Sequence, residues 1–541
     1  MLAAVVFYFT LFLTIVVLPA LLILIFLLFI DHERRLWQRI NPAVTPIAKR
    51  LWNHPAARRL RERYPRTVVF VARRLDPNDP WGLPATIAAA VILAGMWFFG
   101  GLIQDLVGKD PLVTLDVRLH NSVPLVRTPG MTWFMLALTE FGSPVVLWII
   151  AIGSAALSLS RGKRRLAATF VLAIAGSGML SSVLKAVVGH ARPSDALIAA
   201  HEASFPSGHM LSGAVMYGLI AYLLLGSHVG RALRSFGTTL LLLLIVGIGL
   251  SRLYLGVHWP SDLLGSLALA LICLALLLFF LHFERPLPRI DGVSIPISQS
   301  LLQAFGLAMF VVAIAVGALL MRYSKIVPVG PPAPGHPVAR AALATTLPAY
   351  IPRRSEDLVG NLMEPVSLVF VGPQNQVIAA FERAGWTLAD LPTPLRVMKE
   401  GFAALRNQPD PSGPATPAYL ADRPQTLTFE KPDPSTHGIR RRHHTRVWQT
   451  QYCAIPGCQP VWVATASFDI GIELSARLHL PTHRIDPDID AERALIVSDL
   501  TSAGAAELGV LRVVPALQGT NAAGDAFKTD GRAAVLAVPA G

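Results

Sequence analysis

Eight stretches of this 541-residue chain are each long and apolar enough to cross a lipid bilayer, at roughly 3–30, 82–103, 131–160, 166–188, 206–227, 236–257, 261–282 and 299–320. A helix crossing the hydrocarbon needs about 20 mostly apolar residues, so these runs set the class of the first 320 residues as an all-α membrane helical bundle. The first run has no basic residue before it, exceeds the short apolar region of a secretion signal and precedes a strongly basic loop, so it reads as a retained span. The third is over-long and interrupted by Gly142-Ser143-Pro144, which predicts a short surface helix in its first part. With 53% hydrophobic and 15% charged residues, the composition excludes a disordered, collagenous or coiled-coil chain and argues against a plain soluble enzyme.

The net charge of +13 would by itself suggest a nucleic-acid partner. Its distribution argues otherwise. Residues 1–320 hold 26 Lys/Arg against 14 Asp/Glu, whereas residues 321–541 hold 21 against 20. Lys and Arg mark cytoplasmic loops. Segment 31–80 carries 12 of them, Arg161-Gly-Lys-Arg-Arg165 four, loop 228–235 two and loop 283–298 two. The alternate loops 104–130 and 189–205 carry three and one. This alternation places the N-terminus, and everything after the eighth span, outside. In a bacterial-type cell, that describes a multi-pass protein of the inner (plasma) membrane with an extracytoplasmic C-terminal domain. The basic balance is a topology signal, and nothing in it calls for nucleic acid.

Ionisable residues inside spans are costly and usually functional. Here they cluster at the outer helix ends: Lys185 and Arg192 around the end of span four, Ser207 and His209 at the start of span five, Arg252 and His258 at the end of span six, and Asp262 at the start of span seven. Snorkelling explains one Lys or Arg, not this convergence. Three cations suit an oxyanion. Gly208 and the N–H groups at a helix N-terminus suit a phosphate. Two histidines can divide nucleophilic and acid roles, and Asp262, four residues after His258, is spaced to orient its ring. The plain alternative for Asp262 is a helix-terminus residue favoured by the dipole. His190 and His201 read as solvated loop residues.

Lys185-Ala-Val-Val-Gly-His-Ala-Arg192-Pro193, Pro206-Ser207-Gly208-His209 and Ser251-Arg252-Leu-Tyr-Leu-Gly-Val-His258-Trp-Pro-Ser-Asp262 resemble, in order and without departure, the three motifs of the type-2 phosphatidic acid phosphatase superfamily. The resemblance covers about residues 82–282 and implies a six-helix phosphatase core, with spans one and eight as additions. It implies that His258 attacks phosphorus and becomes a phosphohistidine, that His209 protonates the leaving oxygen, and that Asp262 orients His258. Lys185, Arg192, Ser207, Gly208 and Arg252 would hold the phosphoryl oxygens, with no metal or other cofactor required.

The second half is nearly neutral and lacks apolar runs. A Pro/Gly linker over 327–339 precedes residues 340–541, which read as a soluble α+β domain with strands at Val366–Val371 and Val461–Phe468 and helices at Gln374–Trp386 and Asp488–Ser502. The divisions are therefore 1–81 (first span and basic segment), 82–282 (phosphatase core), 283–326 (eighth span), 327–339 (linker) and 340–541. Cys453 and Cys458 are spaced for a disulfide in an exported domain, and Cys273 reads as inert packing in span seven. A second candidate site lies here: Arg442 and Arg446 could hold an anion, and His443, His444, His483 and Asp486 could bind a metal, while a structural or partner-binding module is the remaining reading. On a strand, His444, Arg446 and Trp448 would share a face. About 365–500 resembles the LssY-type C-terminal domain, whose partner the resemblance does not supply.

These readings converge on an integral membrane phosphatase acting on lipid phosphomonoesters or diphosphates, of undecaprenyl diphosphate or phosphatidic acid type, at the outer leaflet. A lipid phosphotransferase sharing the phosphohistidine is the nearest alternative, because an acceptor alcohol competes with water for that intermediate. A non-enzymatic component of an export or lipid-transport assembly is the alternative of another class.

Overall fold

A computed structural model describes chiefly residues 62–76, 81–108, 111–200, 202–282 and 298–323 and most of 335–539. The expected first span and the loop at 283–297 lie outside the described residues, as does most of the linker. The described residues fall into two compact units. One takes in 128–323 and the helices before residue 109, and the other takes in 335–539 together with residues 111–127.

The helical unit begins with α1 (Pro65–Arg74) and α2 (Leu83–Gly108). After residues 109–127 it continues with α4 (Pro129–Glu140), α5 (Pro144–Ser160), α6 (Arg164–Val188), α7 (Gly208–Leu225), α8 (Arg231–Tyr254), α9 (Pro260–His282) and α10 (Gln299–Tyr323); α3 (Pro111–Ser122) belongs to the other unit. Six of these helices are long and apolar enough to cross a membrane, and α4 with α5 makes a seventh bent by 44°. These coincide with expected spans two to eight. The protein is multi-pass. The break falls at Gly142-Ser143-Pro144, where Pro144 has no N–H to continue the ladder. The first part, expected at the surface, instead packs against α8. Tyr254 at the end of α8 fixes it, its hydroxyl lying 3.0 Å from both the Thr128 amide and the Thr132 hydroxyl. Buried residues make up 67% of the α7 span but 11% of α2 and α10, so α7 is the axis of the bundle. It touches α5, α6, α8 and α9. The eighth span, α10, packs along α5 and is integral to the bundle.

The other unit is α+β, as its sequence suggested. Its main sheet contains β1 (His336–Ala339), β2 (Leu368–Val371), β3 (Thr387–Leu388), β4 (Leu427–Pro432), β5 (Arg442–Ile455), β6 (Gln459–Leu474), β7 (Pro481–Ile485), β8 (Ala506–Arg512) and β9 (Arg532–Ala537). They run in the order β8-β9-β2-β6-β5-β4-β3, with β1 also on β5 and β7 also on β6. β5 and β6 form a hairpin closed by the Cys453–Cys458 disulfide (Cα–Cα 4.7 Å). One face of the sheet buries Phe370, Phe429 and Trp462 with α11 (Gln374–Arg383) and α12 (Ile489–Ser502); the other buries Val369, Trp448 and Val463. α12 begins where Asp488 accepts from the Ala491 amide, a side-chain N-cap.

Residues 111–127 fold with this unit rather than forming a free loop. Their helix α3 (Pro111–Ser122) carries Arg118, which is only 4% exposed. Its guanidinium pairs with Glu356 and with Asp422 (2.8 Å), donates to the Asp357 carbonyl (2.5 Å) and lies over the Tyr419 ring. Asn121 donates to the Asp422 carbonyl (2.8 Å), and Ser122 lies 2.9 Å from the Tyr419 hydroxyl. Breaking a buried pair by deleting one partner typically costs 3–5 kcal/mol. Both carboxylates here are partly exposed, so Arg118→Ala should cost about 2–3 kcal/mol. The expected readout is earlier thermal unfolding of the C-terminal unit in the full-length protein and new proteolytic cleavage within 109–127. An unchanged melting profile would count against the clamp.

Candidate active site

The seven residues singled out at the helix ends all lie in the helical unit, where Arg192, His258 and Asp262 contact one another in sequence. α6 ends at Gly189, whose left-handed conformation (φ 63°) turns the chain into loop 189–207. That loop lies against residues 255–259: Leu197 donates to the Leu255 carbonyl (2.9 Å), and the Trp259 indole donates to that of Ala191 (2.7 Å). Lys185, in the last turn of α6, pairs with Glu202 at 2.7 Å. Arg192 donates through Nε to the Glu202 carbonyl (2.6 Å) and through Nη1 to that of Val257 (2.5 Å). The same Nη1 lies 3.3 Å from His258 Nε2.

His258 and Asp262 are almost wholly buried, at 1% and 0% exposure. His258 Nδ1 is 3.0 Å from Asp262 Oδ2. A guanidinium can only donate, and an ionised carboxylate can only accept. The two neighbours together therefore place the His258 proton on Nδ1 and leave the Nε2 lone pair facing Arg192. Oδ2 of Asp262 also accepts from the Trp259 amide (2.9 Å), while Oδ1 faces Ser204 Oγ and His190 Nδ1, each at 3.3 Å. His190 is thus a neighbour of the carboxylate and not the solvated loop residue expected from its polar surroundings. His201 lies outside the described residues.

Ser207 stands at the N-cap of α7, is fully buried, and its hydroxyl forms no hydrogen bond among the described residues. The first backbone N–H groups of α7 lack intrahelical partners, as at any helix start. His209 lies in that first turn, beside the break in the third span. A Cβ on Gly142 would stand 3.2 Å from His209 Cβ and 2.7 Å from Ile248, so only glycine admits this approach. Arg252, 5% exposed, donates to Thr139 Oγ1 (2.8 Å), and its Nε is unpaired among the described residues. Thr139, Ser204 and Glu202 carry no motif signal, and sequence reasoning passed over them.

Residues 166–286 match the PAP2 superfamily, and residues 347–533 match the LssY C-terminus family. Phosphatidylglycerophosphatase B of Bacillus subtilis is 30% identical over 205 residues, which make up 36% of this chain and 95% of that protein. The chain belongs to the PAP2 superfamily. A decaprenylphosphoryl-5-phosphoribose phosphatase of Mycobacterium tuberculosis is 32% identical over 169 residues, 30% of this chain and 86% of that one. The crystal structure of a transmembrane PAP2 type phosphatidylglycerolphosphate phosphatase from B. subtilis covers 35% of this chain and 93% of its own, at 26% identity and a TM-score of 0.31. As a PAP2 protein, the chain is a membrane-embedded phosphoric-ester hydrolase.

In this PAP2 protein the Lys185 ammonium holds the Glu202 carboxyl below the ordinary carboxylate range. A depressed value keeps the pair intact at neutral pH and releases it only as pH falls through that lowered value. A phosphoryl group held by Lys185, as the motif leads one to expect, would compete with Glu202. Glu202→Gln should therefore lower KM for a lipid phosphate and tighten inhibition by inorganic phosphate, each by up to about fivefold, the worth of an exposed pair. A raised KM would instead make Glu202 part of substrate binding.

The second cluster, in the LssY-type domain, does not form one site. Strand alternation sends His443 to the face covered by α12, where its Nδ1 lies 2.8 Å from Glu492 and its ring stacks on Phe468. Burial raises the Glu492 carboxyl above its usual range. Arg442, His444, Arg446 and Trp448 share the opposite face, as strand periodicity suggested. Arg442 is buried between Glu430 (2.7 Å) and Asp469 (3.3 Å), and His444 Nδ1 lies 3.3 Å from Asp469. Burial lowers the His444 value. Asp486 accepts from the Asp488 amide (2.8 Å), and the side chain of His483 lies outside the described residues. Among the described residues, no three His, Cys, Asp or Glu side chains are grouped to hold a metal ion.

Proposed function

We propose that the protein hydrolyses phosphomonoester or diphosphate groups of membrane lipids, of undecaprenyl diphosphate or phosphatidic acid type, at the outer leaflet through a phosphohistidine on His258. The observation that carries this reading is the state of His258: its Nδ1–H donates to a buried carboxylate, and its Nε2 lone pair lies beside a cation. In the proposed sequence Nε2 attacks phosphorus, an N–P bond forms, and the P–O bond to the lipid breaks. His209 gives its proton to the departing oxygen. Water then attacks the phosphorus of the phosphohistidine, giving a proton to His209; the N–P bond breaks, His258 regains its Nε2 lone pair, and inorganic phosphate leaves. Asp262 stabilises the imidazolium character that His258 acquires.

Lys185, Arg192 and Arg252, the free Ser207 hydroxyl and the α7 N–H groups supply charge-assisted contacts to the phosphoryl oxygens. These groups provide the electrostatic stabilisation that a divalent ion gives in other phosphoryl transfers. Supporting a lipid substrate is the position of the cluster at the ends of membrane helices, where a head group sits with its chain left in the bilayer. The names of two relatives, one a phosphatidylglycerophosphatase and one a decaprenylphosphoryl-linked phosphatase, support both lipid classes. Outer-leaflet placement rests on the Lys/Arg asymmetry of the loops.

One experiment tests the activity and its sidedness together. Full-length protein is reconstituted into sealed vesicles, sorted by orientation and supplied with a panel of lipid phosphates and diphosphates in excess EDTA. Phosphate release is expected where the outer face meets the substrate. No release from any lipid, a requirement for divalent metal, or release confined to the opposite orientation would each overturn the corresponding part of the reading.

A further inference from the structure

We propose that His190 is a positioning residue of the phosphatase, locking the Asp262 carboxylate through its otherwise weakly held Oδ1 oxygen. This rests on the reading that His258 is the nucleophile and Asp262 its orienting partner.

Asp262 is a fully buried carboxylate, and a buried charge persists only when its lone pairs are filled. Its Oδ2 takes two good donors, His258 Nδ1 at 3.0 Å and the Trp259 amide at 2.9 Å. Both belong to the chain just before α9, so they fix one oxygen and leave the carboxylate plane free to swing about it. The remaining contacts come from the other side of the site. His190 Nδ1 and Ser204 Oγ each lie 3.3 Å from Oδ1, and they lie 3.1 Å from one another. Because an ionised carboxylate only accepts, His190 must carry its proton on Nδ1 to serve.

The surroundings hold that ring in place. The Ser204 amide donates to the His190 carbonyl (2.8 Å), the Trp259 ring lies 6.2 Å from the imidazole, and the Trp259 indole anchors Ala191. The ionisable group that also touches this carboxylate is His258, with the Arg192 guanidinium against it, and the Lys185–Glu202 pair ties the end of α6 to the loop that carries His190. Asp262 is therefore held from two directions, by the segment that carries the nucleophile and by the loop that carries Arg192. The second hold sets the angle at which Oδ2 meets His258.

The test compares full-length His190→Asn, His190→Gln and His190→Phe with wild type and with His258→Ala. An Asn amide nitrogen can occupy the place of Nδ1, whereas a Gln amide nitrogen reaches the place of Nε2 and Phe offers no donor. The expected result is a kcat lowered about 10- to 100-fold in Phe and Gln, the worth of one hydrogen bond to a charged group. KM should stay within about twofold, and Asn should recover most of kcat. Wild-type kcat in Phe and Gln overturns the proposal. So does an Asn variant as slow as Phe, and so does a loss confined to KM. Asn and Gln differ by one methylene, so their comparison is read even if Phe unfolds. Activity surviving in His258→Ala would remove the underlying assignment, which the His190 variants alone leave standing.

Discussion

Phosphate release from lipid substrates should fall by about four orders of magnitude or more when His258 is replaced by Ala. The size follows from chemistry: without Nε2 there is no N–P bond, and the reaction must proceed by direct attack of water on a phosphoester. The geometry offers no substitute. His209 is the proton carrier of the proposed sequence, and His190 points Nδ1 at the Asp262 carboxylate. Because the His258 ring is buried, the variant also opens a cavity and strips Asp262 of a donor. The assay therefore needs thermal unfolding alongside it. A folded His258→Ala protein retaining more than about a hundredth of wild-type kcat would mean that phosphate passes through another group.

For Asp262→Asn, kcat should drop by roughly 10³–10⁴-fold with little change in KM, the scale found when an orienting carboxylate becomes an amide. Both oxygens of Asp262 face donors: His258 and the Trp259 amide on one, His190 and Ser204 on the other. Whichever way an Asn side chain is turned, its NH₂ meets a donor. Facing His258, it favours the tautomer with the proton on Nε2, where no lone pair remains to attack. Turned away, it opposes His190. A loss smaller than about tenfold would return Asp262 to the plainer role of a residue favoured by the helix dipole.

Much of the site could be read before any coordinates because its chemistry is carried by short contiguous motifs in an apolar background. A Lys, two Arg, two His and an Asp at helix ends have no cheap structural explanation in lipid. Their supporting residues were hidden for equally physical reasons. His190 sits in a polar loop, where a histidine needs no partner, and the carboxylate it approaches is 72 residues away. Thr139 reads as a tolerated hydroxyl in an apolar helix, although it anchors Arg252. Hydropathy located the helices well, since a span is a local property. The Gly142-Ser143-Pro144 break suggested a surface helix for the first part of the third span, because packing against α8 is not a local property. In the second unit, strand period correctly grouped His444, Arg446 and Trp448. It said nothing of Glu430, Asp469 and Glu492, which neutralise the cluster from other elements.

The Arg118 clamp also has a temporal side. Its partners Glu356 and Asp422 follow it by 238 and 304 residues. Closing so long a loop costs little extra in stability, since each doubling of length adds only about 0.6 kcal/mol. The order of events is affected more. At ordinary rates of synthesis, on the order of 15–60 s separates the appearance of Arg118 from that of Asp422. For that interval α3 must wait as a short helix with an unmatched cation while most of the membrane helices are being made. Completion of the C-terminal unit therefore draws on a segment made long before its partners, and a chain ending before residue 422 leaves that earlier segment unmatched.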